Sequence, residues 1–237
     1  MDILFWIIHN RYEVNMKMRK ISAIILIIFL PLFILLKTIE VNTFNKGFYL
    51  KSYEKYGVLE VTGRNIDELD RVTIKLLEYI KDESGEEVLK PFFNEREIKH
   101  MEDVKILFKY GFNLKKISFV LTLFGIIFLI NQNVPRLGRI IFYGPFIWWG
   151  AILMLFLLST MNFNRYFTYF HLIFFDNDLW ILNPDTDLLI QMLPEEFFIS
   201  IFKRIVLSFI IIMSIIQLIG NMLMKKGRDK NEGITDF

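Results

Sequence analysis

Long apolar runs separated by polar stretches predict four membrane-spanning helices. A helix needs about 20 mostly apolar residues to cross a bilayer. Three stretches of about this length occupy residues 21–39, 140–160 and 199–224, and a shorter fourth at residues 117–130 must borrow length from its flanks or thin the bilayer. The first contains Pro31, which a membrane helix tolerates when a neighbouring group satisfies the carbonyl that proline leaves unpaired. The pattern therefore predicts an α-helical integral membrane protein.

The polar segment between the first two spans predicts a small folded cap. Residues 48–63 carry tyrosines and β-branched residues in partial alternation around Gly57, a pattern typical of a hairpin. Residues 65–85 place apolar side chains at helical spacing, with acidic residues early and a glycine at the end. We therefore expect residues 40–116 to form a cap of mixed α and β character.

The positions of lysine and arginine predict how the spans are oriented. Basic residues cluster before the first span, between the second and third, and after the fourth: Arg11, Lys17, Arg19, Lys20, Arg136, Arg139, Lys225, Lys226, Arg228 and Lys230. Short cytoplasmic segments of membrane proteins are enriched in these residues. We expect residues 1–20 and 225–237 to be cytoplasmic tails. Residues 40–116 and the loop at 161–198 then face the opposite side.

Composition agrees with a membrane protein and excludes several kinds of site. Hydrophobic residues make up 54% of the 237 residues, whereas soluble domains contain about 45–50%. The net charge is +2 and the basic residues form no single block, so the sequence does not indicate a nucleic-acid partner. The chain has no cysteine, which excludes disulfides and thiolate chemistry. Any nucleophile must be another side chain, water or the substrate itself.

One candidate for chemistry is the histidine at the start of the second span. The predicted orientation leaves His9 on the cytoplasmic side, and we set it aside. Residues 94–108 begin with a capping asparagine and place Glu97, His100 and Asp103 at three-residue spacing along one side of a predicted helix. An amphipathic helix on the membrane surface would hold His100 near the depth of lipid ester groups.

A second histidine interrupts an aromatic stretch that leads into a polar turn. Residues 165–184 are rich in aromatic side chains, as membrane interfaces are, and Asp176, Asn177 and Asp178 give a turn signal. We expect His171 on a strand or at a helix end, close to this turn and to a wet cavity at the outer surface. A lone interfacial histidine is more often a hydrogen-bonding residue than a catalyst, so the hypothesis of a site depends on the pair.

The chain lacks the common motifs that supply a nucleophile, since it has no G-x-S-x-G, H-E-x-x-H or P-loop pattern. Such a site suits a reaction in which the substrate supplies the nucleophile and histidine moves protons near neutral pH. Two alternatives stay open from the residues alone. One is a metal-dependent membrane hydrolase of a lipid, with His100, His171 and nearby aspartates as ligands. The other is a non-enzymatic envelope membrane protein.

Two motifs carry a resemblance to a known family. They are NEREIKHMEDVK at residues 94–105 and FHLIFFDNDLWILNPDTDLLIQMLPEEFF at residues 170–198. In both, the sequence resembles the bacterial lipoprotein intramolecular transacylase family of four-span membrane proteins. The likeness extends in outline over nearly the whole chain. The stretch before Met16 is not part of the pattern.

The resemblance implies an acyl transfer within one lipoprotein molecule. Enzymes of this family move the sn-2 acyl chain of an S-diacylglyceryl cysteine to the α-amino group of the same cysteine, which gives an N-acyl S-monoacylglyceryl (lyso-form) lipoprotein. The implied partners are diacylglyceryl-modified lipoproteins and membrane lipid, with no cofactor and no metal. The implied location is the bacterial plasma membrane, with the active site at its extracytoplasmic face.

The resemblance also implies site residues. His100 and His171 match the catalytic histidine pair of the family, and the sequence leaves open which is the base and which the acid or oxyanion donor. The candidate orienting and pocket residues are Asp103, Asp178, Asn177, Arg96 and Trp180.

Overall fold

The computed structural model describes the backbone of residues 2–232 and the side chains of residues 13–226, and this range is helical with no strand. The helices are α1 (Asp2–Thr43), α2 (Lys46–Lys55), α3 (Val58–Thr62), α4 (Ile66–Ile80), α5 (Glu95–Ile130), α6 (Val134–Tyr143), α7 (Phe146–Met161), α8 (Phe163–Phe174), α9 (Leu188–Met192) and α10 (Glu195–Glu232). A 3₁₀ turn at Glu86–Val88 precedes α5. We predicted that residues 1–20 and 225–237 are cytoplasmic tails. His9 and most of the C-terminal tail lie outside the residues whose side chains are described.

Within the described residues, four helical segments are long and apolar enough to cross a membrane: Glu13–Thr43, Glu95–Ile130, Val134–Met161 and Glu195–Lys226. Between 17% and 28% of the most apolar window of each segment is buried. Most of this apolar surface therefore faces outward, as contact with lipid requires. The prediction of a four-span α-helical membrane protein is confirmed.

The chain forms two compact units. The first contains the residues up to Leu36, Leu114–Ile152 and the residues from Ser208 onward, and we call it the span unit. The second contains Lys37–Asn113 and Leu153–Leu207, and we call it the cap unit. Both histidines of the predicted pair belong to the cap unit.

In the span unit, a tryptophan compensates for the proline of the first span. Pro31 has no N–H, so the carbonyl of Ile27, four residues earlier, loses its helical partner. The indole Nε1 of Trp148 donates to this carbonyl at 3.0 Å. The prediction that a neighbouring group satisfies the carbonyl freed by Pro31 is confirmed.

A glutamine donates a hydrogen bond to a backbone carbonyl at the break between α6 and α7. The break falls at Gly144 and Pro145. Gln217 donates from Nε2 to the carbonyl of Phe142 at 2.8 Å and accepts at Oε1 from Trp149 Nε1 at 3.0 Å. An unpaired backbone group in hydrocarbon costs several kcal/mol. Gln217 therefore stabilises a third span that consists of two helices.

Two glycines allow α6 and α10 to approach closely within the span unit. A Cβ added to Gly138 would lie 2.6 Å from the carbonyl oxygen of Gly220, and one added to Gly220 would lie 2.9 Å from Ile141 Cγ2. Small residues commonly occupy such crossings of membrane helices. A larger side chain at either position would push the two helices apart.

The described residues of the cap unit form helices, turns and loops but no strand, so the predicted mixed α and β character is wrong. Residues 48–63, predicted as a hairpin, belong to α2 and α3. Asn45 caps α2 by accepting a hydrogen bond from a backbone amide three residues later. Gly57, with a φ of 68°, joins the two helices instead of turning a hairpin. The buried residues of α2 are Tyr49, Ser52 and Tyr53. Their spacing is that of one helix face, which explains the error.

The helix predicted from the next apolar pattern is confirmed as α4. Asn65 caps it by accepting from the amide of Glu68 at 3.0 Å. Its apolar residues at helical spacing form part of the core: Leu69, Val72, Leu76 and Ile80. The chain leaves the helix through Asp82, which has a φ of 65°, before it reaches the glycine expected to stop it.

The helix α5 runs without interruption from Glu95 to Ile130. His100 therefore lies on the same helix as the predicted span at residues 117–130. The first turns of α5 belong to the cap unit, and these turns carry the site.

Candidate active site

His100 and His171 lie side by side in the cap unit. Their ring centroids are 6.0 Å apart and their ring planes are inclined by 38°. The two residues are only 8% and 6% exposed. The structure thus brings together the two residues that the sequence selected, in an environment that largely excludes water.

Residues at the N-terminus of α5 fix the position of His100. Asn94 Oδ1 accepts from the amide of Glu97 at 3.0 Å, and Glu97 Oε2 accepts from the amide of Asn94 at 2.8 Å. This reciprocal pair is a capping box, which satisfies two helix-terminal amides at once. His100 follows one turn later on the same side of the helix.

His171 lies in the last turn of α8, so one of the two predicted settings, a helix end, is confirmed. Its Nδ1 is 2.7 Å from the carbonyl oxygen of Phe167. Because a carbonyl oxygen only accepts, Nδ1 carries the proton and Nε2 keeps its lone pair. Burial lowers the pKa of His171, and the hydrogen bond to Phe167 opposes only part of this effect. The imidazole is therefore neutral at neutral pH, with Nε2 as its basic atom.

Aromatic rings enclose the pair. Trp180 stacks on His171 with centroids 4.8 Å apart and planes inclined by 28°. The ring of Phe175 contacts both histidines, at 5.4 Å from His100 and 5.5 Å from His171. The ring centroid of Phe167 lies 4.3 Å from that of His171. This enclosure is the physical cause of the lowered pKa, because a charged imidazolium would lose its hydration there.

The Nδ1 atom of His100 is buried and has no hydrogen-bond partner in the described part of the chain. Buried polar atoms are usually paired, so this atom is a candidate to contact a substrate group. Glu97 lies one turn before His100 on the side of the helix that the sequence predicted. In the structure the Glu97 carboxylate, in a residue only 2% exposed, accepts from backbone amides.

The other candidate residues meet at the polar turn that follows α8. Asn177 donates from Nδ2 to Asp103 Oδ2 at 2.8 Å. Arg96 donates to the carbonyl of Asp178, and its guanidinium lies 3.5 Å from the carboxylate of that residue. Trp180 Nε1 donates to the carbonyl of Asn177 at 2.9 Å. These contacts tie the turn to α5, so the two aspartates hold the turn rather than the imidazole rings.

Sequence reasoning did not assign Asp187, a buried carboxylate beyond this turn. It accepts from Asn94 Nδ2 at 2.9 Å and from the amide of Asn183 at 2.8 Å. Burial alone would raise the pKa of Asp187, but these bonds and one from Thr186 hold it below its usual value. The signal was present in the sequence, because NPDTDLLIQM places an aspartate at a helix N-cap.

Among the described residues, no group of three or more histidine, aspartate or glutamate side chains could hold a metal ion. The metal-dependent alternative requires carboxylates beside the two imidazoles, whereas the nearest aspartates are engaged in holding the turn. The arrangement instead offers one neutral base and one unpaired imidazole nitrogen within an apolar enclosure.

Comparison with known proteins identifies the class to which the chain belongs. The profile of the family "Lipoprotein intramolecular transacylase Lit" matches residues 24–198. The protein is therefore a multi-pass membrane acyltransferase of lipoprotein modification. More particularly, it belongs to the lipoprotein intramolecular transacylase family, and the resemblance seen in the two motifs is confirmed.

Solved structures share this fold. The in meso structure of the membrane integral lipoprotein intramolecular transacylase Lit from Bacillus cereus matches with a TM-score of 0.79 at 21% identity, covering 90% of this chain and 98% of that one. A structure of that protein with a histidine-to-arginine mutation matches with a TM-score of 0.77 at 20% identity, covering 94% of this chain and 99% of that one. An uncharacterised protein of Aquifex aeolicus is 29% identical over 191 residues, which is 76% of this chain and 84% of the relative.

Proposed function

We propose that this protein moves the sn-2 acyl chain of an S-diacylglyceryl cysteine to the α-amino group of the same cysteine. The product is an N-acyl S-monoacylglyceryl, or lyso-form, lipoprotein. The observation that carries the proposal is the buried pair of His100 and His171, with ring centroids 6.0 Å apart. Family membership supports a diacylglyceryl-modified lipoprotein as the substrate. The proposal includes the assignment of His100 and His171 as catalytic residues and the division of roles between them.

His171 is the general base. The substrate amine is the nucleophile, and it must lose a proton as it attacks the sn-2 ester carbonyl. Nε2 of His171 accepts this proton, because the Phe167 carbonyl holds the proton of the ring on Nδ1. The lowered pKa of His171 keeps the base neutral at the pH of the cell exterior.

His100 is the proton donor. As the new N–C bond forms, negative charge develops on the former carbonyl oxygen and then on the sn-2 oxygen as its C–O bond breaks. An N–H of His100 stabilises this charge and protonates the leaving oxygen. The proton gained by His171 then returns to His100, so both rings recover their starting state and no atom is gained or lost by the lipoprotein.

The enclosure favours transfer over hydrolysis. The aromatic rings of Phe167, Phe175 and Trp180 cover the two imidazoles, which limits the access of water to the ester. The amine and the ester belong to one molecule, and well-oriented intramolecular reactions gain about 7–11 kcal/mol. In this proposal Arg96, Asp103, Asn177 and Asp178 keep the covering turn in place.

The distribution of basic residues supports a site at the extracytoplasmic face of the plasma membrane. Lysine and arginine cluster near both termini and between the second and third spans, which favours a cytoplasmic location for these segments. The two segments that carry the histidines would then face outward, where mature lipoproteins reside.

Mass spectrometry of the N-terminal lipopeptide from a co-expressed diacylglyceryl lipoprotein tests this function. The transfer leaves the total mass unchanged, so the deciding fragment carries one acyl chain on the amine and one on the glyceryl group. We expect this fragment with the wild type and with His9→Ala, and not with His100→Ala or His171→Ala. Unchanged diacylglyceryl peptide with well-expressed wild type would refute the proposal. Free fatty acid whose release stops with a chelator would favour the metal-dependent hydrolase.

A further inference from the structure

The segment from Phe175 to Asp187, which we call the site loop, connects α8 to α9 and lies against α5. Its turn is attached through Arg96 and Asp178, whose side chains are 41% and 76% exposed. Exposed ion pairs contribute little to stability. The exposed Arg96–Asp178 pair is therefore a weak attachment, which the hydrogen bond from Asn177 to Asp103 supplements.

The other end of the site loop is attached to a buried carboxylate. Glu97 Oε1 accepts from the amide of Leu189 at 2.6 Å, and its Oε2 accepts from the amide of Asn94. Leu189 lies in the first turn of α9. Backbone amides in the first turn of a helix have no hydrogen-bond partner within that helix. The N-cap residue Asp187 makes no side-chain cap, because its carboxylate accepts from Asn183 and other donors. Glu97 of α5 thus caps α9 from outside.

The same carboxylate also belongs to the capping box that begins the helix carrying His100. Glu97 therefore joins the start of that helix to the end of the loop that carries Trp180. We propose that Glu97 is a positioning residue that fixes the site loop on α5 and so keeps Trp180 stacked on His171. Glu97 contacts no reacting atom in this proposal, and it acts through the site loop.

Loss of this attachment has a defined physical consequence. If the site loop moves, the indole of Trp180 leaves the ring of His171 and water reaches the imidazole. The burial that lowers the pKa of His171 is then reduced, and the pKa rises toward its usual value. The caps of α2 and α4 are Asn45 and Asn65, so loss of the Glu97 contact leaves both of these caps in place.

Several charged and titratable groups lie on the elements around His171. They include His100, Arg96 and Asp103 on α5, Asp176 and Asp178 in the site loop, and Glu195 on α10. Glu195 contacts Asn164 at the other end of α8. The α8 helix has no acidic or basic side chain between Arg165 and His171. The covering rings therefore dominate the environment of the His171 imidazole.

Histidine NMR of the full-length protein in nanodiscs tests the proposal. The chain has three histidines, His9, His100 and His171, so ¹³C-histidine labelling gives three ring signals that His9→Gln and His100→Gln assign. We compare the wild type with Glu97→Gln. The side-chain amide nitrogen of glutamine cannot accept a hydrogen bond, so either the Asn94 or the Leu189 backbone N–H loses its acceptor. We expect the titration midpoint of His171 to rise in the variant by about half a pH unit or more. An unchanged midpoint in folded Glu97→Gln would overturn the proposal.

The activity readout rests on the proposed function, whereas the NMR readout does not. We expect Glu97→Gln to lower the rate of acyl transfer at least tenfold and to move the acidic limb of its pH profile upward. A wild type that transfers no acyl chain refutes the proposed function alone, because the His171 titration still reports the role of Glu97. Rate loss in proportion to unfolded protein, with an unmoved limb, would show a purely structural role and overturn the proposal.

Two further variants make the test decisive. Asn65→Ala removes the cap of α4, in the same unit but without contact to the site loop, and should lower thermal stability without moving the midpoint of His171. If Glu97→Gln does not fold, Asp187→Asn weakens the same end of the site loop through its bonds to Asn94 and Asn183. Asp187→Asn should also raise the titration midpoint of His171. An unchanged His171 midpoint in this variant would overturn the proposal.

Discussion

His171 and Trp180 stack with ring centroids 4.8 Å apart, so an indole covers one face of the proposed base. The covered imidazole is 6% exposed and holds its proton on Nδ1 against the carbonyl of Phe167. The stack therefore links the position of a loop to the charge state of the base.

The first prediction concerns the pH dependence of acyl transfer. The proposed base must be neutral, and burial lowers the pKa of His171 below the usual value of 6.5. Protonation of His171 should therefore slow the reaction only as the pH falls through this lowered pKa, separately from the limb set by the substrate amine, whose usual pKa is about 7.7–8.0. Single-turnover rates in nanodiscs between about pH 4 and pH 8 measure this acidic limb.

The stack provides the control for this pH experiment. Trp180→Ala uncovers His171 and should raise the acidic limb toward pH 6.5, whereas Trp180→Phe retains a stacking ring and should move it less. The free energy of unfolding should also decrease as the pH falls below 6.5. In this range the unfolded chain binds more protons at His171 than the folded chain does. A wild-type His171 midpoint at or above pH 6.5 in the histidine NMR titration would contradict the assignment of His171 as a buried base.

The second prediction concerns the cooperation of the two histidines. His100→Gln and His171→Gln should each reduce the rate by roughly 10²–10⁴-fold, the usual worth of a positioned acid or base. Because both rings act as a unit in the same acyl transfer, the double variant should be little slower than either single variant. Rates come from the lipopeptide assay with matched amounts of folded enzyme. Multiplicative losses would show that the two rings act independently.

The sequence predicted those features that depend on local pattern. The spans follow from apolar runs, α4 from helical spacing behind the Asn65 cap, and the histidine pair from two motifs whose segments were placed on one side of the membrane. The role of Glu97 could not be predicted, because its partner Leu189 lies 92 positions away and contributes only a backbone amide. The error at residues 48–63 arose because short aromatic runs fit both a strand and a helix face.

The third prediction concerns packing in the span unit. Gly138→Ala and Gly220→Ala each place a methyl group within 3 Å of the facing helix, and overpacking of this kind costs about 1–3 kcal/mol. We expect both variants to lower the thermal unfolding midpoint in detergent. Gly150→Ala is the matched control, since a Cβ there meets no atom within 4 Å. Equal midpoints for all three variants would contradict the close approach of α6 and α10.

The last prediction concerns the depth of α8 in the bilayer. Its 12 residues extend about 18 Å, too short to cross a hydrocarbon core of about 30 Å. Yet Leu172, Ile173 and Phe174 are 61%, 74% and 51% exposed. No aspartate, glutamate, lysine or arginine occurs between Arg165 and Asp176. An exposed apolar face without charges is typical of a helix that lies in the membrane interface.

A spin label measures this depth directly. The native chain has no cysteine, so Ile173→Cys and Asp185→Cys each give a single labelled site without further changes. We expect the label at Ile173 to collide with oxygen, which partitions into lipid, and the label at the exposed Asp185 to collide with a water-soluble nickel chelate. Ready access of the chelate to position 173 would place α8 in water. His171 would then lie away from the lipid esters, and the proposed substrate would have to leave the bilayer to react.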